Sequence, residues 1–144
     1  MVHEEELAEA AAELHVLIGQ LMRRMRAAHE GAVLTLTQAA VLYRLATEGP
    51  ETPAALARAD RVRPQSMGAT LGALEEQGLV GRRPHPTDGR QVVMAATEAG
   101  LSLLAEIRTA KEGWLFDAVR SRLDAEEQQT LIDAVALLRR LVEP

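Results

Sequence analysis

Five arginines are concentrated in one stretch of this sequence, between Arg61 and Val92. The same stretch holds three acidic residues and is therefore positive, although the whole chain has a formal net charge of −5 at pH 7. Guanidinium groups donate paired hydrogen bonds to phosphate oxygens and to guanine edges. The charge distribution favours contact with a nucleic acid through this stretch, and a chance cluster on a solvated surface is the alternative interpretation.

Residue types needed for other chemistries are missing or scattered. The chain has no cysteine, which excludes disulfides, thiolate metal sites and thiol-based redox sensing. Its four histidines lack the i, i+4 spacing of a helical metal site, and no nucleophile with a base or pair of carboxylates stands out. We therefore expect no enzymatic activity, no cofactor and no metal. A helical dimeric interaction module without DNA binding is the alternative to a nucleic-acid-binding protein.

The elements that position the arginines are predicted to be mainly helical. Aromatic residues make up 2% of the 144 residues, so a single domain of this size needs an aliphatic core, which suits packed helices. Apolar residues at spacings of three and four, with capping residues at Thr35, Thr52 and Asp124, set the predicted helix bounds. The predicted helices cover residues 4–28 (before a break at Gly31), 35–47, 54–60, 64–78, 98–122 and 125–142.

A helix-turn-helix followed by a β-hairpin is predicted in the middle of the chain. Proline residues start two helices that are separated by a short turn, and Gly78 ends the second helix. Strand candidates at 79–83 and 91–95 then flank the segment 84–89, which is rich in turn residues and includes an Asp-Gly pair. A hairpin in this position is the wing of a winged helix-turn-helix.

Two longer motifs run through these elements. The first extends from Leu56-Ala57 through Met67, Leu71 and Leu74 to Glu75-Glu76-Gln77-Gly78-Leu79-Val80, and the second is Asp88-Gly89-Arg90 followed by Thr97-Glu98-Ala99-Gly100. In this order and spacing they resemble the MarR family of bacterial regulators. The chain departs from many relatives where small residues replace Arg, Ser or Asp, at Gly68, Ala69, Gly72 and Ala73, and where Ala96 precedes the Thr.

The resemblance implies a mainly helical fold in which a winged helix-turn-helix lobe lies between dimerisation helices at both ends of the chain. One domain would cover residues 1–144, with the lobe at about 35–97 and the dimerisation helices at about 1–30 and 98–144. The implied function is that of a sequence-specific transcriptional regulator that binds double-stranded DNA. It would be a repressor, and a small aromatic or phenolic effector would relieve the repression.

Side chains near the start of the second helix of the helix-turn-helix would read the major groove. Gln65 suits adenine, and Arg63 suits guanine or phosphate. Gly68 and Gly72 would either let the helix lie close to base edges or pack inside the protein. The preceding helix would direct its N-terminus at Thr52 to a phosphate.

The wing would add an arginine in the minor groove, Arg90, with further arginines at its base. The resemblance implies that Asp88 pairs with a neighbouring arginine and orients the wing, and a simple turn role is the alternative. His85 is expected to be a solvated residue of the wing tip, and contact with a phosphate is the alternative. The predicted DNA-contacting residues are Thr52, Arg63, Gln65, Ser66, Ala69, Thr70, Arg82, Arg83, Asp88 and Arg90.

The first and last helices carry apolar stripes that a small winged lobe cannot cover, which predicts a homodimer on an inverted-repeat DNA site. The residues that bind an effector stay unassigned. Candidates for a crevice between the dimer helices and the lobe, each with a structural role as the alternative, are His15, His29, Tyr43, Arg44 and Trp114.

Nothing in the sequence predicts contact with a membrane. No apolar run reaches the roughly 18 residues that span a bilayer. The first residues of the chain are acidic, whereas a signal peptide begins with basic residues. We therefore expect a cytoplasmic protein.

Overall fold

Helices dominate the structure, a computed structural model that describes residues 1–29 and 34–144. In chain order these residues form α1 (Glu4–Ala27), α2 (Leu36–Glu48), α3 (Pro53–Asp60), α4 (Pro64–Glu76), β1 (Val80–Pro84), β2 (Val92–Ala96), α5 (Glu98–Arg122) and α6 (Ala125–Val142). The predicted mainly helical fold with a β-hairpin is confirmed, and both strands begin one residue later than predicted. The predicted break at Gly31 lies outside the described residues.

Side-chain caps fix where α2 and α6 begin, as the sequence predicts. Thr35 Oγ1 accepts a hydrogen bond from the Gln38 backbone N–H at 3.1 Å, and the Gln38 side chain accepts one from the Thr35 N–H at 3.1 Å. Asp124 and Glu127 form the same reciprocal pair of bonds at 2.9 and 3.0 Å. These bonds satisfy backbone N–H groups that the start of a helix otherwise leaves without partners.

The antiparallel hairpin of β1 and β2 places Arg82 opposite Met94. A third backbone segment pairs with the other edge of β2. The Met94 N–H donates to Glu51 O at 2.8 Å, and the Glu51 N–H donates to Met94 O at 3.0 Å. Because Glu51 lies in the loop between α2 and α3, backbone hydrogen bonds attach the hairpin to the helix-turn-helix.

The chain divides into two compact units, one of Met1–Glu30 with Arg108–Pro144 and one of Gly31–Ile107. The second unit contains the helix-turn-helix, the hairpin and the first turns of α5. Its core is aliphatic, and α5 packs against that core with Leu103, Leu104 and Ile107. The largest fully buried side chains of this core are Leu42, Leu56, Met67, Leu74 and Val41.

Helices α1 and α6 of the first unit carry many exposed apolar side chains. No residue of α1 or α6 is buried in the single chain. Their exposed large apolar side chains include Leu17, Ile18 and Leu21 on α1 and Ile132 and Leu138 on α6. Exposed apolar side chains in such number are typical of an interaction surface. In the described part of the chain, no helix is both long and apolar enough to cross a membrane.

Helix α4, the hairpin and α5 meet at a junction around Leu79. Gly78 ends α4 with a φ of +74°, a conformation that favours glycine. The Thr97 hydroxyl donates to Gly78 O at 2.6 Å and accepts from the Gly100 N–H at 3.1 Å. The Thr97 N–H donates to Leu79 O at 3.0 Å. A Cβ at Gly100 would overlap Leu79 O, so the Thr-x-x-Gly motif lets α5 start directly against this turn.

We expect Gly100→Ala to lower the free energy of unfolding by about 1–3 kcal/mol, because the added methyl group would overlap the Leu79 backbone. Gly113→Ala is the matched control on the same helix, since a Cβ there meets no atom within 4 Å. That control should gain up to about 1 kcal/mol of stability. Urea denaturation at one protein concentration measures both effects. Equal changes in the two variants would contradict the close packing at Gly100.

Candidate nucleic-acid interface

Thr52 begins α3 as its N-cap, as the sequence predicts. Its Oγ1 accepts a hydrogen bond from the Ala55 N–H at 3.2 Å. Its own N–H donates to the Glu51 carboxylate at 2.9 Å. A carboxylate therefore lies at the helix end that the sequence directs to a phosphate, and a phosphate at the Thr52 N–H would have to displace it. The phosphate contact of Thr52 stays a prediction.

The turn between α3 and α4 depends on one residue in the left-handed conformation. Arg61 has a φ of +54° and a ψ of +42° and ends α3. The chain then bends so that the Val62 N–H donates to Ala57 O at 3.0 Å. Arg63 follows as the N-cap of α4, with Pro64 in the first turn of that helix. This turn directs the N-terminus of α4 and its polar side chains away from the core.

Helix α4 has a buried face and an exposed face. Its core face is Met67, Leu71 and Leu74, and its exposed residues near the N-terminus are Arg63, Gln65, Ser66 and Ala69. Thr70 is half-buried, and its hydroxyl donates to Ser66 O at 3.1 Å, so its methyl group is what remains for an apolar contact. The structure therefore brings the residues that are predicted to contact bases together on one surface, and their contacts with DNA stay predictions.

Gly68 and Gly72 of α4 are not packed against other parts of the protein. A Cβ built at either position meets no atom within 4 Å. The interpretation that these glycines serve close internal packing is therefore wrong. Instead they border a shallow cleft of about 80 Å³ between α4 and the hairpin, which Pro53, Arg82 and Val92 also line.

The base of the wing is attached to α4 by an ion pair. Arg82 Nε on β1 lies 2.9 Å from Glu75 Oε2 and 3.3 Å from Glu75 Oε1. The hydrogen bond and the negative charge of Glu75 raise the pKa of the Arg82 guanidinium above its ordinary value. Arg83, the next residue along β1, is exposed and forms no ion pair with any described residue. Arg83 is thus better placed than Arg82 to bind a phosphate.

The wing tip is organised by Asp88. Its Oδ1 accepts from the Arg90 N–H at 3.1 Å, and its Oδ2 accepts from Gln91 Nε2 at 3.1 Å. Arg90 Nε lies 3.7 Å from Asp88 Oδ1, which is the pairing with a neighbouring arginine that the resemblance implies. The Arg90 side chain is 96% exposed, so solvent screens this ion pair and the guanidinium is accessible to a partner.

Sequence reasoning missed two residues that shape the wing. Glu75 was part of a motif but had no role, and its pairing with Arg82 crosses the α4–β1 turn. The expectation that His85 is simply solvated is wrong. The side chain is half-buried, and its Nδ1 accepts from the Thr87 N–H at 3.2 Å and the Asp88 N–H at 3.0 Å. The spacing of His85 before Asp88 in a proline-rich turn was the available signal.

The candidate effector residues lie in different units. Arg44 of the second unit donates to Glu48 at 3.2 Å and to Asp60 at 2.9 Å, and these hydrogen bonds raise its pKa. It therefore fastens α2 to the end of α3. Tyr43 is exposed in the same unit, and the other three candidates belong to the first unit. Among the residues that the structure describes, no group of three His, Asp or Glu side chains could hold a metal ion.

Comparison with known proteins points to one family. The sequence model of the MarR family matches residues 34–92. An HTH-type transcriptional regulator of Mycobacterium tuberculosis is 37% identical, over 94% of each chain. A solved structure from Pseudomonas aeruginosa PA01 is similar with a TM-score of 0.83 at 30% identity, over 99% of each chain. Wild-type MarR of Escherichia coli in its apo form shares the fold with a TM-score of 0.67 at 22% identity, over 99% of each chain.

We expect Glu75→Gln to loosen the wing, because the charge that holds Arg82 is removed while the shape of the side chain is kept. Backbone amides of β1 and β2 should exchange with deuterium roughly two- to fivefold faster, because a partly exposed ion pair contributes only a small free energy. Glu76→Gln is the control, since Glu76 is an exposed neighbour without an ion pair among the described residues. Unchanged exchange in Glu75→Gln would show that the pair does not fix the hairpin.

Proposed function

The chain belongs to the MarR family of HTH-type transcriptional regulators, and from this premise we propose a specific mode of action. A homodimer binds an inverted-repeat site in double-stranded DNA, represses transcription and is released by a small aromatic or phenolic effector. One observation carries the DNA-binding part. The exposed N-terminal face of α4, with Gln65 and Ser66, stands beside a wing whose arginines Arg83 and Arg90 are also exposed.

Helix α4 would supply base recognition in the major groove. Gln65 can donate to and accept from an adenine edge, and the Ala69 and Thr70 methyl groups can contact a thymine methyl. Because few of these side chains are polar, base discrimination would concentrate on a few positions in each half-site. DNA shape and phosphate contacts would supply the rest of the specificity.

The wing and the helix starts would supply the sequence-independent contacts. Arg90 is suited to a narrow minor groove, where negative potential attracts arginine. Arg83 and Arg63 would bind phosphates, and the start of α3 at Thr52 would add backbone N–H groups. Arg82 would act mainly by holding the wing to α4, because its Nε is already bound to Glu75.

The homodimer is supported by the exposed apolar side chains of α1 and α6. A second copy would cover these stripes and set two α4 helices at a fixed distance, which matches an inverted repeat. We also propose that the protein acts in the cytoplasm, where its DNA is, and that it has no enzymatic activity. The proposed effector is a small aromatic or phenolic molecule. This part of the proposal is supported by membership of the family, and no residue of the chain is assigned to effector binding.

Fluorescence anisotropy with a DNA fragment from upstream of the protein's own gene tests the proposed function. A scrambled fragment of equal length is the control. We expect tighter binding to the upstream fragment and a steep loss of affinity between 50 and 200 mM salt, because bound arginines release counterions. Absence of binding to either fragment would favour the interaction module that does not bind DNA.

Selection of binding sites from random DNA distinguishes the residue that recognises a base, proposed to be Gln65, from the residue that binds a phosphate, proposed to be Arg83. We expect Gln65→Ala to relax the preference at one base pair per half-site while leaving nonspecific binding nearly intact. Arg83→Ala should weaken all sequences alike and reduce the salt slope by up to about one unit per half-site. If Gln65→Ala keeps the wild-type preference and Arg83→Ala changes it, the two roles are reversed.

Sedimentation equilibrium tests the homodimer. We expect Leu138→Glu to shift the protein toward monomer, because it places a charge in the apolar stripe of α6, where Leu138 is 41% exposed in the single chain. Ala136→Glu adds the same charge away from the line of Leu131, Val135 and Leu138, which forms this stripe, and should leave the dimer in place. Dimers of unchanged stability in both variants would show that this stripe of α6 does not form the interface.

A further inference from the structure

The turn at the tip of the wing is closed by an imidazole. His85 Nδ1 accepts hydrogen bonds from the backbone N–H groups of Thr87 at 3.2 Å and of Asp88 at 3.0 Å. The His85 N–H also donates to Gln91 O at 3.3 Å, across the mouth of the turn. Asn and Asp side chains commonly close turns in this way, by accepting from N–H groups two or three residues on. His85 fills that place with a nitrogen that can take up a proton.

The turn that His85 closes determines where Arg90 is held. The imidazole fixes the backbone of Asp88, and the Asp88 carboxylate then accepts from the Arg90 N–H and lies 3.7 Å from Arg90 Nε. The same carboxylate binds Gln91 Nε2 at 3.1 Å. A chain of hydrogen bonds therefore runs from the ring nitrogen of His85 to the backbone of Arg90, the residue whose exposed guanidinium is suited to the minor groove.

This arrangement is compatible with one protonation state of the ring. A neutral imidazole has one acceptor nitrogen, so Nδ1 can accept only while the proton is on Nε2. Imidazolium has two N–H donors and no acceptor. A protonated Nδ1 would point a donor at two backbone donors, and the turn would lose both bonds. It could instead donate to the Thr87 hydroxyl oxygen, which lies 3.4 Å from Nδ1, but that contact does not replace the two backbone bonds. Histidine is the side chain whose charge ordinarily changes between pH 5 and 8.

We propose that His85 is a positioning residue that makes DNA binding by the wing sensitive to pH. Protonation opens the wing-tip turn, the backbone of Arg90 is no longer held by Asp88, and affinity for the specific site falls. The inference rests on the proposed DNA-binding function. The charged residues of the wing are Asp88, whose N–H binds the ring, Arg90, which pairs with Asp88, and Arg82 and Arg83 on β1, of which Arg82 pairs with Glu75.

Whether acidification weakens or strengthens DNA binding distinguishes two roles of the His85 ring, closing the turn and contacting a phosphate. If imidazolium simply contacted a phosphate, acidification would strengthen DNA binding. A single added surface charge is screened at moderate salt, whereas opening the turn releases the residue that inserts into the groove. The structure therefore assigns His85 to the turn, and acidification is expected to weaken specific binding.

Three variants test this role in full-length protein. His85→Asn keeps an acceptor oxygen near the place of Nδ1 but does not titrate, whereas His85→Gln places its amide about where Nε2 lies and leaves the turn open. His85→Ala removes the acceptor altogether. Affinity for the selected site is measured from pH 8 to pH 5.5 at constant moderate salt, and each protein is normalised to its own value at pH 8.

Between pH 8 and pH 5.5 we expect the wild type to lose roughly fivefold more affinity than His85→Asn, the order expected when one or two neutral hydrogen bonds are lost. The other titrating groups are common to both proteins and cancel in the comparison. His85→Gln and His85→Ala should bind more weakly than His85→Asn throughout. Equal pH profiles of wild type and His85→Asn, or a relative gain for the wild type on acidification, would overturn the proposal.

Amide NMR of the free protein separates this inference from the proposed function. The Thr87 and Asp88 N–H signals should shift together as the wild type is acidified and should stay in place in His85→Asn. If these signals do not move in the wild type, the turn does not titrate and the inference fails, whatever the protein binds. If they move as expected but no DNA is bound at pH 8, the proposed function fails instead.

Discussion

The junction around Leu79 is the constraint on which the rest of the second unit depends. Gly78 ends α4 in a left-handed turn, Thr97 binds the carbonyl groups of Gly78 and Leu79, and Gly100 leaves room for α5 to begin there. Helix α4, the hairpin and α5 are thereby fixed to one another at residues 78–79 and 97–100. A side chain at Gly100 or a missing hydroxyl at Thr97 would disturb all three elements at once.

The wing extends from this junction and is held at three levels. Backbone hydrogen bonds from Glu51 support β2, the ion pair of Glu75 and Arg82 holds β1 to α4, and His85 closes the tip. These contacts turn a two-stranded hairpin, which is marginal by itself in water, into a part of the lobe. In the proposed mode of binding, α4 and the wing would contact adjacent grooves of DNA together. The partly exposed ion pair contributes more to this geometry than to stability.

Local features were predictable from the sequence, and contacts across turns were not. The caps at Thr35 and Asp124 and the glycine stop at Gly78 lie within a few residues of the groups that they bind, so the helix bounds followed from sequence. Two contacts depend on the tertiary fold, because they join residues of different elements. They are the ion pair of Glu75 with Arg82 and the backbone pairing of Glu51 with Met94. The family resemblance supplied the arrangement of the lobe that periodicity alone leaves open. It did not reveal the hydrogen bonds of His85, which exist only once the turn is folded.

The most direct test is to map where the wing lies on DNA. The chain has no cysteine, so Gly89→Cys gives a single attachment point for an iron-EDTA group at the exposed wing tip, where a Cβ meets no atom within 4 Å. On the selected inverted repeat, we expect two clusters of DNA cleavage related by two-fold symmetry, each with the strand offset of the minor groove and at one fixed distance from the α4 contacts. A single cluster, or no cleavage while binding persists, would contradict the claim that α4 and the wing of each subunit bind one half-site together.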